Sequence, residues 1–174
     1  MIFKSLKRSA IKKRIEAHLQ KRVSNPGAVS KLTDIAVLID ASETIDIISI
    51  LKLAGELGVN PDRVKVMGFV EEKKELEDKP EASYYNNKSF SLNGSVKRDS
   101  LQHFIDKDFD ILINFYSENK LELNYVATLS KAKLKVGFAE VDHRINDLII
   151  GGSSEQQGLF ISELKKYLKI LQII

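Results

Sequence analysis

The chain has 174 residues, 43% of them hydrophobic, which is enough for one domain with a substantial core. It has no cysteine, so disulfides and thiolate metal sites are excluded. The net charge of +3 averages two unlike parts: residues 1–33 hold nine Lys and Arg against Glu16 alone, whereas the remainder holds 18 basic and 23 acidic residues.

Residues 2–22 contain no helix breaker and predict a helix. At about 100° per residue, Phe3, Leu6 and Ala10 fall on one side and Ile11, Ile15 and Leu19 on another, with cations between them. No apolar run approaches the roughly 7–15 residues of a signal-peptide core or the roughly 20 of a membrane span, so a cytoplasmic protein is expected. Ser24-Asn25-Pro26-Gly27 ends the helix as a hinge. The expected organisation is a basic helical arm and hinge at 1–30, followed by a single α/β domain at 31–174.

The apolar run at 35–39 predicts a strand buried on both faces and ending at Asp40. Ser42 or Asp40 can cap a following helix, whose Ile45, Ile48, Leu51, Ala54 and Leu57 recur at threefold spacing before Gly58. Residues 64–70 predict a second strand, which completes a βαβ unit. The charged stretch 71–87, with Pro80 and Tyr84-Tyr85, reads as a surface excursion, with a short strand at 88–92 and a helix at 99–106 after it.

Residues 109–115 predict another buried strand, after which Ser117 can cap a helix with Leu121, Tyr125, Leu129 and Ala132 on its inner face. Strands follow at 133–138 and 148–150. Gly151-Gly152-Ser153-Ser154 then turns into a last helix with capping-box spacing between Ser154 and Gln157. Alternating strands and helices predict an α/β fold with a doubly wound, mostly parallel sheet, Rossmann-like or flavodoxin-like, preceded by the basic N-terminal helix.

In such a sheet ligands bind beyond the strand carboxyl ends, where the strand order reverses. If the strands at 35–39 and 109–115 are neighbours, Asp40, Ser42 and Glu43 meet Asn114, Tyr116, Ser117 and Glu118 there. The same Asp40, Ser42 and Ser117 can equally be helix caps, with Asn114 closing a turn. His143 follows Asp142, a carboxylate that could orient an imidazole, although no Ser or Cys nucleophile is identifiable beside it. His18 and His103 read as spectators. The Gly151–Ser154 turn offers free amides for a phosphate, a use that a plain capped turn explains as well.

No dinucleotide, P-loop, zinc-protease or nucleophile-elbow motif is present, and no cofactor or metal is expected. Lys4, Lys7, Arg8, Lys12, Lys13, Arg14, Lys21 and Arg22 can neutralise an anionic partner, with RNA or the ribosome ahead of a membrane surface. A non-catalytic docking or adaptor domain is the first expectation. A nucleotide or sugar-phosphate binder or enzyme using the crevice is the alternative, and an oligomer subunit closed by the apolar tail at 167–174 is the third.

The basic helix, the strand ending in Asp40, Phe-Asp-Ile-Leu-Ile-Asn-Phe at 109–115 and Leu-Ser-Lys-Ala-Lys-Leu-Lys-Val-Gly at 129–137 together resemble an uncharacterised single-domain family of Bacteroidota. That resemblance implies a fold and no particular reaction. Residues 109–138 are also similar to part of the acceptor-side domain of heptosyltransferase-type glycosyltransferases. Those enzymes have a Gly-Asp turn after the first strand and a second, nucleotide-sugar-binding domain; here the turn is Asp40-Ala41-Ser42-Glu43, and the 174 residues reach only to where the second domain would begin. The likeness therefore implies shared architecture without sugar transfer.

Overall fold

The apolar run ending at Asp40 forms strand β1 (Ile35–Asp40), and all six of its residues are buried, as expected of a strand covered on both faces. It is the third strand of a six-stranded sheet in a computed structural model that describes residues 2–25, 28–43, 45–71, 79 and 81–174. Pro26 and Gly27 of the expected hinge lie outside the described residues, as does most of 72–80.

The elements in chain order are α1 (Ile2–Lys21), β1, α2 (Ile47–Glu56), β2 (Val64–Phe69), β3 (Ser83–Tyr85) and α3 (Asp99–Asp106). Then come β4 (Ile111–Phe115), α4 (Leu121–Leu129), β5 (Leu134–Phe138), β6 (Leu148–Ile150) and α5 (Gln157–Ile170). The strand order is β3-β2-β1-β4-β5-β6, and every neighbouring pair is parallel. The doubly wound sheet is therefore present and parallel throughout. Its order reverses between β1 and β4, whose register places Ile35 beside Ile111 and Ile39 beside Phe115.

Alternation along β1 divides the core. Ile35, Val37 and Ile39 pack beneath α2 and α5, while Ala36 and Leu38 pack on the face covered by α1, α3 and α4. Helix α1 lies against α4. Ile11 is fully buried and Ile15 nearly so, whereas Ile2, Phe3 and Leu6 are exposed. Because α4 is enclosed between the sheet and α1, residues 122–128 are all buried, where the sequence suggested a single inner stripe.

Four local expectations are corrected. Asp46 caps α2, accepting from the amides of Ile48 and Ser49; Asp40 and Ser42 do not, because the Asp40 carboxylate accepts from the Ser42 amide and hydroxyl instead. The inner face of α2 is Ile50, Leu53 and Ala54, and Ile48 points outward. Ser83–Tyr85 is an edge strand within the expected excursion, and residues 88–92 contribute a short 3-10 turn and a single antiparallel bridge between Phe90 and Val96. The edge strand is admitted by Gly68: the Tyr84 ring packs where a Gly68 side chain would stand, 2.7 Å from an added Cβ.

Neither Ser117 nor Ser154 forms the cap expected of it. Helix α4 starts after Lys120 with no side-chain cap. Ser154 opens a 3-10 turn (Ser154–Gln156) that leads into α5, where no capping box forms.

Candidate functional site at the strand carboxyl ends

β1 and β4 deliver their last residues to one end of the sheet, and the start of α4 brings Lys120 to the same rim. Asp40 is fully buried, its Oδ1 accepting from the Ser42 amide at 2.9 Å and the Ser42 hydroxyl at 2.7 Å. Its Oδ2 lies 2.5 Å from Lys120 Nζ, which also donates to Ser42 Oγ at 3.1 Å. Glu71 and Glu118 stand 3.4 Å and 3.6 Å from the same ammonium, both largely exposed. Burial opposes the Lys120 charge, but the Asp40 carboxylate and Glu71 outweigh it and raise the ammonium above its ordinary value.

A second group abuts the first. Glu43 Oε1 accepts from the Ser117 amide at 3.1 Å, and Ser117 Oγ lies 3.1 Å from Ser154 Oγ. Glu43 Oε2 is buried and has no hydrogen-bond partner among the described residues. Deeper on the α4 side of the sheet, Asn114 donates to Asn146 Oδ1 at 2.7 Å; Asn114 Oδ1 and Asn146 Nδ2 are likewise buried and unused. Gly137 makes this approach possible, since any side chain there would collide with the Asn146 amide.

The structure thus brings together Asp40, Ser42, Glu43, Ser117 and Glu118 of the expected cluster. Asn114 lies below them, paired with Asn146. Tyr116 is elsewhere: it is buried beneath α4, its hydroxyl donates to Asn124 Oδ1 at 3.1 Å, and burial pushes its ionisation well above the ordinary phenol range. Lys120, Ser154, Asn146 and Glu71 join the site without having been singled out for it. A cation immediately before the first turn of α4, where Ser, Thr, Asp or Asn is usual, was the available signal for Lys120.

The other candidates resolve differently. Asp142 turns to Arg144, which also grips Glu16 of α1, and the His143 ring meets the Ala139 carbonyl. Four of the eight α1-region cations fasten that segment to the domain. Lys7 donates to Asn87 O at 2.8 Å, Arg14 to Asn93 O at 3.0 Å, Arg8 pairs with Glu122 at 3.1 Å and Arg22 with Asp147 at 2.6 Å. Lys4, Lys12, Lys13 and Lys21 are exposed and make no ion pair with the described residues. In the C-terminal tail, Leu168 and Ile173 are buried while Ile170 and Leu171 face outward.

Among the described residues no helix is long and apolar enough to cross a membrane, and no group of three or more His, Asp or Glu is placed to hold a metal ion. Comparison with curated proteins and with solved structures brings no match. Residues 7–171 match a family of unknown function (DUF6913), and the chain belongs to that family.

Proposed function

We propose that the domain binds a small polar ligand, neutral or cationic and rich in hydroxyl or amino groups, in the crevice between the carboxyl ends of β1 and β4. The observation that carries this reading is the unused Glu43 Oε2, buried near the point of strand reversal on a side chain that holds the Ser117 amide. A buried polar atom without a partner costs roughly 1–3 kcal/mol, and a donor supplied by a ligand would recover that cost.

Charge selects the ligand class. Asp40, Glu71 and Glu118 surround Lys120 and Glu43 sits on the Ser117 amide, so among the described residues the rim is acidic. The first amides of α2, which would receive a phosphate in a dinucleotide-binding turn, are already occupied by the Asp46 carboxylate. Both features disfavour a nucleotide or sugar phosphate and favour hydroxyl and amine donors.

The test is a thermal-shift and titration series with polyols, monosaccharides, nucleosides and primary amines beside their phosphorylated forms. An unphosphorylated compound should raise the melting temperature, and Ser42→Ala and Glu43→Gln should weaken the response. Silence across the series, a preference for the phosphorylated member, or an undiminished response in both variants would overturn the reading.

A further inference from the structure

Helix α1 carries two apolar stripes on nearly opposite sides. The stripe of Ile11, Ile15 and Leu19 is turned inward, and docking consumes it. The outer stripe begins with Ile2, Phe3 and Leu6, which are 75%, 68% and 55% exposed, and continues to Ala10.

Exposed cations accompany the outer stripe along the helix. Lys4 lies within the tip, Lys12 and Lys13 follow in the next turns, and all three are exposed without an ion-pair partner among the described residues. Lys13 shares the outward side with Ile2 and Leu6. A short apolar tip with unpaired lysines close by, Lys13 on its own side, matches an anionic lipid surface, where acyl chains receive the tip and headgroups the charges. An RNA would use the lysines and leave Ile2, Phe3 and Leu6 without a role.

The anchors of α1 set its direction. Lys7 is held by Asn87, just beyond the end of β3, and Arg8 by Glu122 in the first turn of α4. Arg22, at the other end, is held by Asp147 just before β6 begins. The tip therefore projects on the side of the strand carboxyl ends.

We propose that the N-terminal tip of α1 docks the protein on anionic membrane surfaces, with Ile2, Phe3 and Leu6 entering the interface and Lys4, Lys12 and Lys13 contacting headgroups. This is independent of what the crevice binds. The full chain is sedimented with equimolar phosphatidylcholine–phosphatidylglycerol vesicles and with pure phosphatidylcholine vesicles.

Binding to the mixed vesicles should exceed binding to the neutral ones by about tenfold or more. It should fall by a similar factor in F3S/L6S and in K4E/K13E, whose melting temperatures should be unchanged because all four residues are exposed. Equal binding to both vesicle types, retention by F3S/L6S, or association with a single-stranded RNA in place of vesicles would overturn the proposal.

Discussion

The two edges of the sheet use similar residues to opposite ends. At the amino edge, Asp110 accepts from the Thr33 amide at 2.9 Å, the Thr33 hydroxyl at 2.7 Å, the Asp34 amide at 3.0 Å and Lys133 Nζ at 2.7 Å. Asp147 there is equally engaged, by Arg22, Ser24 and the Lys135 amide. At the carboxyl edge, Asp40 has its partners but Glu43, Asn114 and Asn146 each keep a buried polar atom unused. An acidic residue at a strand end is thus a fastener where its lone pairs are filled by the chain, and a candidate ligand contact where they are not.

The strongest test of that contrast is Asp110→Ala, which strands Lys133 and two backbone amides. It should cost about 3 kcal/mol in urea unfolding. A loss below about 0.5 kcal/mol would mean that the amino edge is not fastened in this way.

Next is Lys135, whose ammonium is buried near the amino edge and donates to the Ala127 and Thr128 carbonyls at the end of α4. Burial, with Arg22 nearby, lowers its pKa from 10.5 to about 7. Between those values the unfolded chain holds a proton that the folded chain lacks, so stability attributable to Lys135 should rise from pH 7 towards pH 10, by on the order of 2 kcal/mol. The difference between wild type and Lys135→Met across that range isolates the effect, and a flat difference would contradict it.

Asp110 gives the acid-side counterpart. Burial works to raise its pKa, but the bonds from Lys133, Thr33 and Asp34 prevail and hold it at about 2, below the ordinary 3.8. Its contribution should be complete above pH 4 and should fade as the pH drops towards 2, by about 1–2 kcal/mol, and Asp110→Asn should remove that dependence.

Smallest of all should be Glu43→Gln at the carboxyl edge, within about 0.5 kcal/mol of wild type by thermal unfolding. A loss as large as that of Asp110→Ala would make both edges structural and dissolve the comparison.

Legibility in the sequence followed burial. β1 and β4 are continuous apolar runs, and those strands and helix 99–106 could be read from pattern, whereas the adjacency of β1 and β4 was a condition that only the pairing of Ile35 with Ile111 meets. The edge strand at Ser83–Tyr85 could not, because three residues beside a charged stretch carry no period of their own and depend on the space above Gly68. At the site, strand-end position located Asp40, Ser42, Glu43 and Ser117. It did not separate them from Tyr116, whose hydroxyl is taken by an Asn124 that only the packing of α4 brings near. Lys120 carried only the signal of a cation before the first turn of α4, and Asn146 comes beneath the rim, against Asn114, through tertiary placement alone.

The enclosure of α4 bears on how the positively charged leader can be studied. Shortening the chain to begin at residue 30 would take away the cover of Ile11 and Ile15 and leave Glu122 without Arg8, turning the outer side of a wholly interior helix towards water. Loss of an activity in such a deletion would report damage to the domain as readily as loss of contact with a partner, so only point changes on the outward side of the leader separate attachment from folding.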